Sequence, residues 1–390
     1  METEVREYGS ILDLLDDLNR EGVTGYALRK TMDKFVNMQA RMRGIPINVG
    51  FELTPLCNFD CRMCYVHLTK EQMEREGTVL STEQWLDIMG QAVKAGMLHA
   101  DLTGGECLTH PGFKTLYCYL QSSGVRVAVL TNGTLITEEM ADFFAQHPPE
   151  LVQMTVYGSN EDDYQRVTGH RAFGDVCAAI ERLKKRNIRL RLTVTPSRYM
   201  QKDVHALLTF LREQGVEYGV GGVSIPARED TGRVFEDFAP EAALYVQLDL
   251  DENAYHASIT EQIDLALSKQ IERIPRNYMP TSPVPCSSGQ STCHINWKGE
   301  MLPCISFHTV MSSVLKQGFA GAWDEIKRVM STYRPPEQCR SCKLLPSCRT
   351  CAAERTFGVL NGEVNQAVCQ RCADQVEAGI LSQSEQKQCL

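Results

Sequence analysis

No apolar run in this sequence approaches the ~20 residues that cross a bilayer, so a helical membrane span is not expected. Met1 to Arg20 is acidic and lacks the apolar core of a signal peptide, so secretion is not expected either. Basic residues are outnumbered, 40 Lys and Arg against 49 Asp and Glu, and the net charge of −9 carries no nucleic-acid footprint. No convincing hydrolytic triad emerges. What remains is a cytosolic, globular chain of 390 residues, 43% hydrophobic and 23% charged. That length holds one large α/β domain and a smaller one. Cysteine is what the chain has in excess, sixteen in all. Because the cytosol keeps thiols reduced, metal binding rather than a disulfide framework is expected for most of them.

Three stand at Cys57, Cys61 and Cys64 within Thr54 to Tyr65 (TPLCNFDCRMCY), spaced C-x3-C-x2-C at the end of a strand-like run, Ile47 to Leu53. Three thiolates this close can hold three corners of a cubane [4Fe–4S] cluster and leave the fourth iron open. Structural zinc wants four closed ligands, and no His or fourth Cys sits here at finger spacing; His67 is too near in sequence to close a tetrahedron easily. An open iron is a place for a small molecule with chelating atoms.

Residues 1–45 read as two helices, one carrying Ile11, Leu14, Leu15 and Leu18, the other running from Ala27 to Met42 and stopped by Gly44 and Pro46. Residues 46–240 alternate strand-like and helix-like stretches. Strands are expected at Ile47–Leu53, His99–Leu102, Val125–Leu130, Leu151–Val156, Arg189–Thr195 and Tyr218–Val223, with helices between them such as Thr82–Ala95 and Phe173–Lys185. Helical crossovers argue for a parallel sheet, and six units fit an α/β fold of the partial (β/α)6 TIM-type barrel kind. A charged loop, Arg228 to Arg233, leads to a helical connector at 241–282, most of it a long helical stretch from Pro240 to Ile271. Pro275, Pro280, Pro283 and Pro285 mark the boundary to a cysteine-rich domain at 283–375, followed by a tail at 376–390.

Chemistry in such barrels gathers at strand C-termini, where the cysteine triad lies. The second strand ends in Thr103-Gly104-Gly105-Glu106: paired glycines let backbone approach a ligand, and the carboxylate can accept from an ammonium group. Thr131-Asn132-Gly133 closes the third strand and Thr155-Val-Tyr-Gly158 the fourth, with Arg166 eleven residues beyond Thr155. Together, the triad and the Gly-Gly-Glu at the next strand end resemble the radical S-adenosylmethionine (SAM) superfamily. The resemblance implies that Gly104, Gly105 and Glu106 hold the SAM amino group, that Thr155 and Arg166 contact its ribose and carboxylate, and that Met63 lies near the adenine. Cys107, directly after Glu106, is either a small buried hydrophobe or a hydrogen-atom donor near the open iron.

Ten cysteines follow residue 285, and nine form an ordered array: Cys286, Cys293, Cys304, then Cys339-x2-Cys342-x5-Cys348-x2-Cys351, then Cys369 and Cys372. Gly299-x4-Cys304 reads as a hairpin, with Trp297-Lys-Gly-Glu at its turn. Thiolates in fours select zinc or iron–sulfur clusters, and spacing alone does not choose. The order resembles the SPASM domain of radical SAM proteins, which implies two auxiliary [4Fe–4S] clusters. Matched by order, Cys286, Cys293, Cys304 and Cys351 hold the first, and Cys339, Cys342, Cys348 and Cys369 the second, with Cys372 an alternative to Cys369. Two residues, not the usual three, separate Cys348 from Cys351.

That resemblance implies an oxidoreductase chemistry: reductive cleavage of SAM to a 5′-deoxyadenosyl radical, which abstracts hydrogen from a substrate. The expected substrate is a ribosomally made peptide, crosslinked through a thioether or carbon–carbon bond or epimerised. The segment before residue 46 is too short for a leader-recognition domain, which a separate protein would then supply, and a flavodoxin or ferredoxin would donate electrons. Sulfatase maturation is disfavoured, because Ile305 follows Cys304 where those enzymes carry an aspartate. The alternatives are a radical enzyme acting on a small molecule or tetrapyrrole, and a non-catalytic iron–sulfur electron carrier.

Overall fold

Along β4 and β5, defined below, apolar and polar side chains alternate, and one face is buried at every second residue: Val127, Val129, Thr131, then Val152, Met154, Val156. Such a period of two suits strands with helices packed on the apolar face. The computed structural model describes residues 4–200, 204–220, 271–279, 284–345 and 351–377, together with 227, 228, 244, 247, 248, 251 and 348. Its strands in chain order are β1 (Glu4–Tyr8), β2 (Asn48–Glu52), β3 (His99–Thr103), β4 (Arg126–Thr131), β5 (Leu151–Val156) and β6 (Leu190–Val194). They continue with β7 (Glu217–Val220), β8 (Ile271–Pro275), β9 (Thr292–Ile295), β10 (Glu300–Leu302) and β11 (Ser312–Ser313).

Strands β2 to β7 lie side by side, parallel and in chain order, with helices between them. This is the expected six-unit α/β architecture, left open because the outer edge of β2 is taken by β9. The last strand was expected to run to Val223; it is described to Val220, and 221–226 lie outside the described residues. The helices carry the sequence signals expected of them. Ser81 caps Thr82–Lys94 in a reciprocal box with Gln84, and that helix buries Trp85, Ile88, Met89 and Ala92 against the sheet.

The expected hairpin at Gly299 is present. Asn296 Oδ1 accepts from the N–H groups of Lys298 and Glu300, both at 3.0 Å, and Gly299 takes the left-handed φ of 79° that the turn requires. Strand β9 pairs in parallel with β2, placing Cys293 beside Val49 and His294 beside Gly50. The cysteine-rich region therefore extends the barrel sheet to nine strands. Helix Val314–Met330 packs on Thr82–Lys94, and where its ladder breaks at Gly318 the Gln91 side chain accepts from Phe319 N–H at 2.8 Å.

The N-terminal region departs from expectation. Two helices are present, Ile11–Arg20 and Gly25–Arg43, but β1 precedes them and pairs in parallel with β8. Arg6 bonds Asp17 at 2.9 Å, and Arg273 of β8 pairs with Glu21. A five-residue strand whose partner lies more than 260 residues away leaves little local signal. Ile271, expected to end a helix, begins β8 instead. Most of the Pro240–Ile271 stretch, of the charged loop at 229–233 and of the tail from 378 lies outside the described residues. Leu244, Gln247, Leu248 and Asp251 are described, and they are helical.

Candidate active site and cluster-binding cysteines

The loop leaving β2 carries Cys57, Cys61 and Cys64 to the wall of a cavity of about 280 Å3 at the C-terminal end of the sheet. Backbone donors aim at two of the sulfurs: Phe59 N–H at Cys57 Sγ, 3.3 Å, and His67 N–H at Cys64 Sγ, 3.2 Å. Burial pushes the Cys57 thiol up to about 12. A bound cluster reverses that penalty, since a coordinated thiol is deprotonated outright, and the backbone donors then face thiolate acceptors. Among the described residues no three His, Cys, Asp or Glu side chains are arranged to hold a single metal ion. A cubane spreads its thiolates wider, because each binds a different iron. The trio fits a cluster better than one ion.

The paired glycines serve packing as well as the cavity. Gly105 N–H donates to Thr54 O at 2.7 Å and Glu106 N–H to Leu56 O at 3.0 Å, so the β3 loop lies directly against the cysteine loop. A Cβ on Gly105 would stand 2.4 Å from Leu56 O, and one on Gly104 2.6 Å from Thr54 O. Both glycines line the cavity. Glu106 does not; it is fully buried and accepts from Thr131 Oγ1 at 2.8 Å, Asn132 N–H at 2.8 Å and Leu108 N–H at 3.1 Å. Burial outweighs those donors and leaves its carboxyl above the ordinary range. Glu106 thus ties the Thr131-Asn132-Gly133 turn to the glycine loop. Asn132 completes the tie, its Nδ2 lying 3.7 Å from Cys57 Sγ.

Met63 and Thr155 line the cavity. Arg166 and Cys107 do not. The Arg166 guanidinium is engaged by Asp163 and by Tyr199 O, the latter at 2.9 Å, because Asp163 is one helical turn away on the same face. Cys107 is completely buried and donates to Leu130 O at 3.3 Å, so its place is in the core and not beside a substrate. Sequence reasoning missed Gln153, Tyr157, Thr193 and Thr195, which complete the wall from β5 and β6. Their signal was present as polar residues on the strand face opposite the apolar one. The buried Thr193 hydroxyl has no hydrogen-bond partner among the described residues, which marks a position for a polar ligand atom.

Behind the cysteine loop, Glu52 is buried with Arg228 and with His294 Nε2 at 3.4 Å. Burial raises the Glu52 carboxyl, but Arg228 and His294 outweigh it and hold it below its ordinary range. The Arg228 guanidinium also lies over the Tyr65 ring, 5.4 Å from its centroid and within the ~6 Å cation–π reach, and the Arg228 backbone N–H donates to Tyr65 O at 3.1 Å. One buried ion network thus joins the end of β2, the cysteine loop and β9.

The C-terminal cysteines fall into two groups. Cys286, Cys304 and Cys351 belong together: Cys286 Sγ donates to Ser288 Oγ at 3.3 Å, Ser288 also bonds Cys304, and Cys304 acts electrostatically on Cys351. Cys293 is buried in β9, and burial raises its thiol. Cys339, Cys342, Cys348, Cys369 and Cys372 line a second cavity. Ile305, Ser306 and Glu354, which follow Cys304 and Cys351, reach back to line the first cavity, and Glu354 is the one carboxylate in that lining among the described residues.

Comparison with known proteins agrees with this arrangement. The profile of the radical SAM superfamily matches residues 51–211, and that of SPASM, an iron–sulfur cluster-binding domain, matches residues 286–352. The chain is 26% identical over 297 residues to the antilisterial bacteriocin subtilosin biosynthesis protein AlbA of Bacillus subtilis, covering 76% of this chain and 63% of that protein. It is 24% identical over 328 residues to the AdoMet-dependent heme synthase of Methanosarcina barkeri, covering 80% and 93%. Its fold matches the crystal structure of Streptococcus suis SuiB bound to precursor peptide SuiA, with a TM-score of 0.63 at 15% identity, over 92% and 88% of the two chains. Residues 51–211 thus form a domain of the radical SAM superfamily. Within it, this is an enzyme of the SPASM-bearing kind, whose cofactors are SAM and iron–sulfur clusters.

Proposed function

We propose that this enzyme modifies a ribosomally made peptide by radical chemistry, forming a thioether or carbon–carbon crosslink or epimerising a residue. The carrying observation is that the cavity beside Cys57, Cys61 and Cys64 is roofed by Ile305, Ser306 and Glu354 of the SPASM domain. AlbA acts in the making of a bacteriocin and SuiB binds a precursor peptide, which supports the same substrate class here. Cys57, Cys61 and Cys64 would hold the SAM-binding cluster, and Gly104, Gly105, Met63 and Thr155 would cradle SAM. Cys286, Cys304 and Cys351, completed by Cys293, would hold one auxiliary cluster, and the second thiol cavity the other. When bound, the reduced cluster and SAM supply a carbon-centred radical able to take a hydrogen atom from unactivated carbon.

The chain's own residues then position and shield. The Gly104–Gly105 backbone lets a ligand approach the cysteine loop, and the Thr193 hydroxyl offers it a hydrogen bond. Asn132 keeps the Cys57 loop in place. The SPASM residues close the cavity from above and limit water. Arg166, held by Asp163 and Tyr199, fixes the helix beside the cavity instead of touching SAM. A separate leader-recognition protein and a flavodoxin- or ferredoxin-type donor complete the scheme. A reducing cytosol is the setting that suits fifteen described cysteines with none in a disulfide.

A second reading is favoured by one observation: the match to the heme synthase spans 93% of that protein. It makes the substrate a tetrapyrrole. The discriminating experiment is anaerobic co-expression with short peptides encoded beside the gene, read by mass spectrometry with a Cys57→Ala control. Loss of a hydrogen pair, or a mass unchanged in ordinary water that gains deuterium in heavy water, supports the peptide reading. Unchanged peptides with SAM cleavage stimulated by an iron-free tetrapyrrole would replace it.

A further inference from the structure

Helix Gln366–Glu377 carries two thiols three residues apart, Cys369 and Cys372, and that spacing puts them on one helical face. Both line the cavity of about 160 Å3 that also holds Cys339, Cys342 and Cys348. The pocket therefore presents five thiols, while a [4Fe–4S] cubane has four corners.

The two helical thiols differ in setting but not in reach. Cys372 is buried and hydrogen-bonds Cys348. Cys369 is exposed, and its thiol feels Cys339, Cys348 and Cys342. The helix itself is pinned, since Arg371 Nη2 bonds Glu354 Oε2 at 2.9 Å with both side chains nearly buried. Exchange of one thiol for the other needs only side-chain rotation on a fixed helix, because both already face the pocket. Arg355 Nη2 lies 3.7 Å from Cys348 Sγ and 3.3 Å from Cys348 O, a cation that favours thiolate in the pocket whichever helical thiol is bound.

We propose that Cys369 and Cys372 are alternative fourth ligands of the second auxiliary cluster, so that the site always keeps one spare thiol beside the cluster. This rests on the reading of that cavity as a second auxiliary site. When Cys372 binds, the spare thiol is the exposed Cys369, open to alkylation or oxidation without loss of the cluster.

The test measures iron and acid-labile sulfide in the anaerobically reconstituted full chain, for the wild type, Cys369→Ala, Cys372→Ala and the double variant. The wild type and both single variants should hold about twelve irons, four per cubane. The double variant should lose one third. Loss of a third in either single variant alone would establish a fixed ligand and overturn the proposal, as would full iron in the double variant. A wild type holding only two clusters' worth would instead overturn the second auxiliary site itself. Alkylation of the wild-type holoprotein gives an independent readout should the double variant misfold. Peptide mapping should find Cys369 labelled in only part of the molecules, with iron retained; label on Cys369 in all of them, or in none, would contradict alternation.

Discussion

Gly105 shows what a single side chain would do to this site. Its Cβ would meet Leu56 O at 2.4 Å and Pro55 O at 2.7 Å, both backbone atoms of the cysteine loop that cannot rotate away. Gly105→Ala should destabilise the protein by ~2–4 kcal/mol and lower the iron bound at the Cys57 site, measured by denaturant unfolding and iron content. Gly124 is the comparison: it has φ +79° but nothing within 4 Å, so Gly124→Ala should cost only about 1 kcal/mol and leave iron unchanged. Asp101 gives a pH-dependent prediction. It is exposed on the polar face of β3, but it sits in a recess shared with Glu150, where partial withdrawal from water and the Glu150 charge raise its carboxyl to about 6. A raised carboxyl contributes stability below its unfolded value, lost as pH rises from about 4 through about 6. Asp101→Asn should therefore raise Tm at pH 7.5, with the gain shrinking as pH falls through 6. A constant gain across that range would show that the carboxylate is not under strain.

At the scale of elements, the barrel strands were legible because each is a short apolar run ended by turn residues, and the strand-end motifs followed at once. The triad, the glycine pair, Met63 and Thr155 were found this way. Arg166 lies outside the cavity lining, since a spacing of eleven residues does not tell which way a helical arginine points, and Cys107 takes the buried-hydrophobe reading of its two, because adjacency to Glu106 does not tell which face a cysteine takes. Strand β1 was invisible for another reason: EVREY has no local apolar pattern, and its partner β8 lies at the far end of the chain. The buried Glu52–Arg228 pair was equally hidden, joining residues 176 apart in sequence. Removing one charge leaves the other buried and unpaired, so Arg228→Ala should cost ~3–5 kcal/mol. Adding Glu52→Gln should recover part of that loss, and a double-mutant cycle on unfolding free energy would measure the coupling. Purely additive losses would show that the pair does not act together. Trp323 tests the link between N-terminal helix and SPASM region: its Nε1 donates to Gly44 O at 2.7 Å, and Trp323→Phe should cost about 1 kcal/mol without loss of iron.

For the whole molecule, one nine-stranded sheet carries both cysteine regions. Strand β2 delivers the triad at its C-terminal end, and β9, paired alongside, carries Cys293 and leads through β10 to Cys304 and to Ile305 and Ser306, which line the cavity. The sequence order of the cysteines suggested two domains in series, but their merger into one sheet depends on a parallel β2–β9 pairing that no local pattern announces. The central claim is that Cys57, Cys61 and Cys64 hold the cluster at which SAM is cleaved, separately from the C-terminal thiols. The most direct measurement is anaerobic SAM cleavage, read as 5′-deoxyadenosine with a chemical reductant, beside iron content, in the wild type and Cys57→Ala. The wild type should form deoxyadenosine and the variant none, while the variant keeps about two thirds of the iron. Cleavage that persists in Cys57→Ala, or a variant stripped of all its iron, would contradict the account.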